Sequence, residues 1–239
     1  RVLRFLLKDE VERGKVAFKE IDGLTIENRA AHMKAIPDDV LAELKACHVI
    51  LKGPTTTPRA GDEWPNIESA NVAMRKELDL FANVRPVKVP EEGIDWTFFR
   101  ENTEGAYTLG SCGFETEDGI SVISPSLPLT ARSALQSSRM ILPGKTTKTR
   151  VSIVTNQHHQ ATDGKFLKLC QAVGEKYPDI TTDDWYIDIM TANLVNRDIR
   201  SKFQVFVLPN LYGDIITDEA AEIQGRCRVP RAAPTWAIN

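Results

Sequence analysis

The stretch His48-Val49-Ile50-Leu51-Lys52-Gly53-Pro54-Thr55-Thr56-Thr57-Pro58 joins a short apolar run to a polar turn. The run is predicted to be a buried strand, closed by the tight turn that Lys52-Gly53-Pro54 favours. Upstream, Ile36-Pro37-Asp38-Asp39 opens a helix through Leu44, because proline and acids suit a first helical turn. A helix followed by a strand, with a polar loop at the strand's C-terminal end, is the α/β pattern in which ligands are bound at that loop.

Working outward, residues 1–20 begin with Val2, Leu3, Phe5, Leu6 and Leu7 and then turn charged, which reads as the tail of an amphipathic helix. Glu68 to Leu80 has helical spacing, with Val72, Met74, Leu78 and Leu80 set among charges. Thr97-Phe98-Phe99 and Val151 to Val154 read as strands, Phe166 to Val173 as a helix. Trp185 to Met190 and Phe203 to Leu208 are strand-like runs alternating with helical stretches, and Asp218 to Ile223 opens a helix with acids in its first turn. No internal repeat or low-complexity tract is present.

The bulk numbers narrow the function. The chain has 239 residues, is 42% hydrophobic and 26% charged, and carries a net charge of -3. There is no broad basic field to hold nucleic acid, although a local arginine cluster suffices for a small polyanion. No uncharged run approaches the roughly 18 residues of a membrane span, and no signal peptide is visible. Arg1 is not an initiator residue, so an upstream segment is expected. Cys47, Cys112, Cys170 and Cys227 form no CxxC pair, which points away from zinc knuckles and disulfides and toward a reducing cytoplasm or organelle matrix. His158 and His159 are adjacent, so they face apart on any regular element and make a poor metal pair.

Three clusters carry chemistry. The hydroxyls of Thr55, Thr56 and Thr57, on a turn bracketed by Pro54 and Pro58, suit a carboxylate or carboxamide, though such residues also simply make turns. Arg75, Arg85 and Arg100, with Ser69, Asn71 and Tyr107, form an arginine-rich set; guanidinium forks bind carboxylates bidentately, so three of them suit a substrate with several. Any one of these arginines alone is better read as surface charge, but Asn83-Val84-Arg85-Pro86 has a strand-like flank that holds its guanidinium near a cleft. Asp214 and Asp218 share one helical face, where like charges repel unless a cation lies between them, and their hard oxygens suit Mg²⁺ or Mn²⁺. The alternative is a pair of acids neutralising a helix N-terminus. Asp188, inside Tyr186-Ile187-Asp188-Ile189-Met190, is expected to be a buried carboxylate, costly unless paired.

Taken together, Lys52 to Pro58, Glu68 to Val87, Arg100-Glu101-Asn102-Thr103-Glu104-Gly105-Ala106-Tyr107 and Asn210 to Asp218 resemble, in order and spacing, the β-decarboxylating dehydrogenases. That family includes isocitrate, isopropylmalate, homoisocitrate and tartrate dehydrogenases. The resemblance spans about residues 36 to 225. It implies an α/β, two-domain isocitrate/isopropylmalate dehydrogenase-like fold, cut short at both ends. The large domain would hold residues 1–80 and the return segment 225–239, and a small domain 81–224 would carry a dimer arm near 111–130. It implies that Arg75, Arg85 and Arg100 bind substrate carboxylates, that Tyr107 is the general acid, and that Thr56 and Thr57 meet NAD or NADP. Asp214 and Asp218 would hold Mg²⁺ or Mn²⁺ together with Asp188 of the partner subunit in a homodimer. Ser69 and Asn71 offer hydrogen bonds where isopropylmalate enzymes place apolar residues, which favours isocitrate over isopropylmalate, with tartrate or a related hydroxydiacid second.

The departures from the family are specific. Its catalytic lysine is expected after Val151 to Val154, where this chain reads Thr155-Asn156-Gln157-His158-His159-Gln160. Codons for Asn156 to Gln160, read in a shifted frame, can spell Ile-Asn-Ile-Ile-Lys, close to the family's motif. Shifted readings of residues 133–147 and 226–239 can likewise give family-like segments. The hypothesis is that short frameshifts scrambled these three stretches; resequencing that finds the frame intact at Asn156 would sink it. Asn156 cannot take a proton as a lysine-based relay does.

Overall fold

The computed structural model describes residues 2–58, 61–103, 114–115, 121–122, 148–225 and 236–238. The chain forms two compact units, Arg1–Ala73 and Met74–Asn239. Tyr107 and the stretches 133–147 and 226–235 lie outside the described residues, as does most of the expected arm.

In the first unit, α1 (Val2–Leu6) and α2 (Lys8–Glu12) are short and bury no residue. The predicted amphipathic helix is therefore present in pieces, with Phe5 and Leu6 exposed. Thr25 caps α3 (Ile26–His32) by accepting the Asn28 N–H, and α4 (Asp38–Lys45) starts after Pro37 with two acids in its first turn, as its sequence predicts. Ile26, Ile36, Val40, Leu44 and Ile67 make the core.

The run Val49-Ile50-Leu51 is not a strand. Val49 and Leu51 are 84% and 80% exposed, and the described residues of this unit contain no strand at all. A strand exists only through a ladder partner. Without one, an apolar run of three residues has nothing to pair with and stays irregular. Helix α5 (Ala70–Glu77) is shorter at both ends than the spacing from Glu68 to Leu80 predicts.

The second unit is built on a six-stranded sheet. Its strands are β1 (Ala82–Val89), β2 (Ile94–Glu101), β5 (Arg150–Thr155), β6 (Thr181–Tyr186), β7 (Val205–Leu208) and β8 (Trp236–Ile238), in the order β6-β5-β7-β2-β1-β8. β6, β5, β7 and β2 run parallel, while β1 lies antiparallel to β2 and β8 antiparallel to β1. A separate two-stranded antiparallel pair, β3 (Phe114–Glu115) and β4 (Ser121–Val122), falls within the segment expected to form the arm.

Alternation along the strands sorts the core onto two faces. Trp96, Phe98, Val154, Phe206 and Leu208 pack with Met190 and Leu194 of α7 (Ile187–Val195) and with Ile216 and Ala220 of α8 (Asn210–Ile223). Phe99, Val151, Ile153, Val205 and Val207 pack on Phe166, Leu167 and Cys170 of α6 (Asp163–Gly174). The result is a sheet with helices on both faces, the α/β class predicted. Burial of the Cys170 thiol pushes its pKa far up, as for an inert core cysteine.

Two elements differ from expectation. The strand predicted through Met190 ends at Tyr186, and Ile187 onward is α7; a short, mostly apolar run does not reveal its period, and Met190 and Leu194 meet the core with helical spacing. Helix α8 starts at Asn210, directly after Pro209, so Asp218 lies in its third turn rather than its first. Pro86 sits within β1 opposite Thr97. The Thr97 N–H points away from β1, to Gln204 O, so this is a non-hydrogen-bonded pair and the Pro86 nitrogen faces the outer edge of β1. Among the described residues no helix is long and apolar enough to cross a membrane.

Candidate active site

Four parallel strands bring their C-terminal ends to one edge of the sheet, and most of the nominated residues of the second unit stand along it. From one side to the other these are Asp188 two residues beyond β6, Asn156 directly after β5, Asn210 to Asp218 beyond β7, and Arg100 at the end of β2. This is the edge at which open α/β sheets bind ligands.

Arg85 and Arg100 both project from the face that α8 covers. Arg100 follows the alternation of Trp96 and Phe98, and Arg85 pairs across with Phe98. They converge on one carboxylate. Arg100 is 3% exposed in its side chain and donates from Nη1 to Asp214 Oδ1, while Arg85 Nη2 donates to the same oxygen at 3.3 Å. Arg85 Nη1 also donates to Thr217 Oγ1 and lies 3.5 Å from Asp218 Oδ1. Asn210 Oδ1 accepts from Arg100 Nε at 3.0 Å and from Nη2 at 2.7 Å. Such an arrangement binds anions, but in this structure Asp214 fills the place of one.

Gly213 lets the helix approach. A Cβ there would stand 2.6 Å from Arg100 Cγ and 3.3 Å from its Cα, so only glycine allows α8 to lie this close to β2. Gly213, Asn210 and Thr217 carry no signal as individual residues; what marks them is their spacing around Asp214 on one helix, read against an arginine on a neighbouring strand.

Asp214 and Asp218 are one helical turn apart and offer the hard oxygens that Mg²⁺ or Mn²⁺ prefers. Among the described residues no group of three or more acids, histidines or cysteines is gathered in ligating range, so the pair needs a further ligand. Asp188 is exposed in the first turn of α7. The expectation that it is buried is corrected: its stretch is helical, and position 188 points away from the face that Met190 and Leu194 bury. Arg75 is half-buried on α5.

At the lysine position, the Asn156 backbone N–H donates to Asp163 Oδ2 at 2.9 Å. The Tyr212 hydroxyl interacts with Asp163 and with the Asn156 side chain; burial first, then the Asp163 carboxylate, push its pKa up to about 12. Both partners were absent from the sequence-based set, because a phenol on α8 and an acid at the start of α6 meet only through the sheet order.

In the first unit, Thr56 and Thr57 are exposed on the turn, and Thr57 Oγ1 donates to Ser69 Oγ at 3.4 Å. Lys52 Nζ donates to Thr55 Oγ1 at 3.3 Å. Ser69 O accepts from Ala73 N at 3.0 Å, so Ser69 stands at the start of α5 and the half-buried Asn71 in its first turn. Beneath the turn, Arg29 is fully buried and donates to the carbonyls of Ala35, Thr56 and Glu68.

The family model for isocitrate/isopropylmalate dehydrogenase matches residues 3–227. The NAD isocitrate dehydrogenase catalytic subunit 5 of Arabidopsis thaliana mitochondria is 38% identical over 77% of this chain and 49% of its own length. Regulatory subunit 2 of the NAD isocitrate dehydrogenase of the same plant is 34% identical over 81% of this chain and 52% of its own. The crystal structure of isocitrate dehydrogenase from Methylococcus capsulatus superposes with a TM-score of 0.65 at 28% identity, covering 84% of this chain and 60% of that one. The chain thus spans about half the length of these curated relatives. With a matching family model over most of its residues and a solved relative of the same fold, the chain belongs to the isocitrate/isopropylmalate dehydrogenase family.

Proposed function

We propose that this chain carries the substrate-handling part of a metal-dependent, NAD(P)-linked decarboxylase that oxidises isocitrate to 2-oxoglutarate. The observation that supports the reading best is the convergence of Arg85 and Arg100 on Asp214, one turn from Asp218, at the ligand-binding edge of the sheet. Two guanidinium groups this close are stable only around negative charge, and a substrate carboxylate is the natural occupant once Asp214 turns to a cation.

In this reading Arg75, Arg85 and Arg100 hold the carboxylates, and Ser69 and Asn71 hydrogen-bond the third one that distinguishes isocitrate from isopropylmalate. Thr56 and Thr57 face the nicotinamide cofactor, and Tyr107 returns a proton to carbon after carbon dioxide leaves. Asp214 and Asp218, with the partner's Asp188, hold Mg²⁺ or Mn²⁺, so the working unit is a homodimer. When bound, the ion supplies Lewis acidity to the substrate hydroxyl and the enolate, and the nicotinamide supplies the hydride acceptor.

Asn156 favours a second reading. A carboxamide accepts no proton from the substrate hydroxyl, and here it is engaged beside Tyr212 and Asp163. A non-catalytic subunit that binds a tricarboxylate without turning it over would retain the arginines and lose the lysine. NAD(P)⁺ reduction separates the two readings, with isocitrate, isopropylmalate and tartrate tested in turn with Mn²⁺. The chain is run beside Asn156→Lys, each also joined to the flanking segments of a full-length relative. Isocitrate turnover by the lysine variant alone supports the oxidative reading for the lineage. Isocitrate binding without turnover in every version supports the binding subunit and overturns the enzyme reading.

A further inference from the structure

Arg29 is a buried cation with an unusual set of partners. Its side chain is fully inaccessible, and among the described residues it has no carboxylate; Nε donates to Ala35 O at 2.8 Å, Nη1 to Thr56 O at 2.6 Å and Nη2 to Glu68 O at 2.8 Å. Burying a guanidinium is costly, and removal from water alone lowers its pKa. A methionine would fill most of that volume with no charge to bury, but would leave the three carbonyls without this donor. What the arginine adds is the fixing of three carbonyls from three separate segments.

Two of these carbonyls have a particular place. Thr56 C=O belongs to the peptide whose N–H is that of Thr57, and Glu68 C=O to the peptide whose N–H is that of Ser69. The two terminal nitrogens of one planar, rigid fork therefore hold the two peptide planes directly ahead of the two hydroxyl residues. The Nε bond to Ala35 sets the orientation of the fork. On its far side the Thr57 and Ser69 hydroxyls stand 3.4 Å apart. A lysine carries its three donors on one nitrogen, so it lacks the rigid fork that holds the two carbonyls at a fixed separation.

We propose that Arg29 is the positioning residue that sets the spacing of the Thr57–Ser69 hydroxyl pair, so that both address a single carboxylate or carboxamide oxygen of a ligand. Fixing the pair from beneath spares the ligand the cost of ordering a threonine turn and a helix start. The ligand part rests on the reading of Thr57 and Ser69 given under the proposed function; the positioning part does not.

Backbone amide relaxation on the full chain tests the positioning, with Arg29→Lys keeping the charge and Arg29→Met most of the volume. In both variants the order parameters at Thr57 and Ser69 should fall from about 0.85 to below about 0.6, while those of α4 and of β2 stay near 0.85. An equal fall across α4, or none at Thr57 and Ser69 in Arg29→Lys, overturns it. Calorimetric titration with isocitrate and with NAD⁺ tests the ligand. Arg29→Lys and Ser69→Ala should each weaken one of these ligands, and the double variant should lose no more than the worse single one. If the order parameters respond as expected but neither substitution alters either affinity, the pair is not a ligand site; the reading of Thr57 and Ser69 then fails while the positioning stands.

Discussion

Replacing Asn210 with alanine removes the acceptor of two Arg100 hydrogen bonds, from Nε at 3.0 Å and Nη2 at 2.7 Å. Asn210 and Arg100 are each 2% exposed, so water does not take over the lost contacts. A hydrogen bond to a charged group contributes about 1.5–3 kcal/mol, and two that share one acceptor count for less than twice that. About 3 kcal/mol is the expected loss, and at roughly 2–4 °C per kcal/mol for a domain of this size the melting temperature should fall by about 6–12 °C. Circular dichroism melts of the parent, Asn210→Ala and Asn210→Asp measure it. The aspartate keeps both acceptor positions beside a guanidinium and should melt close to the parent. An alanine variant melting within about 2 °C of the parent would refute the account, because it would mean that Arg100 is held without Asn210.

Two further outcomes follow from the same helix. Gly213→Ala should lower the urea midpoint by the equivalent of about 1 kcal/mol, since overpacking against Arg100 outweighs the helix propensity that alanine adds; an equal or higher midpoint would show that α8 has room to move. Tyr212 has a folded pKa raised to about 12 by burial and Asp163, above the roughly 10 of an unfolded tyrosine, so its contribution is complete below pH 10 and lost as pH rises toward 12. Ultraviolet titration should show a late-ionising phenol that disappears in Tyr212→Phe, and a titration unchanged by that substitution would contradict the assignment.

The α/β class was legible from Val151–Val154 and Phe203–Leu208, whose apolar runs sit centrally in the sheet and need no distant information to be read. His48–Leu51 had the same composition and led to the same class, yet it is not a strand. Composition records that a segment would tolerate burial, not whether a neighbour exists to bury it. Ile187–Met190 failed for another reason, because so short a stretch, with Asp188 set among apolar residues, fits either period. In the site, Arg85, Arg100 and Asp214 were readable as charges placed among apolar residues. Asn210 and Thr217, which orient them, were not, since their role exists only once α8 lies across β2. Arg29 left no trace at all: backbone carbonyls have no side-chain signature, so a residue that binds three of them looks in sequence like any helical arginine.

Pro86 affects how the protein behaves in concentrated solution. Among the described residues β8 pairs with β1 at Ala82, Asn83 and Val84, and a chain that added to this border would have to run on from there. The first outward-facing donor such a chain would look for beyond Val84 is the amide nitrogen of residue 86, which in proline carries no hydrogen. Proline at this position breaks the ladder that such a chain would extend, which hinders sideways growth of the sheet into fibres.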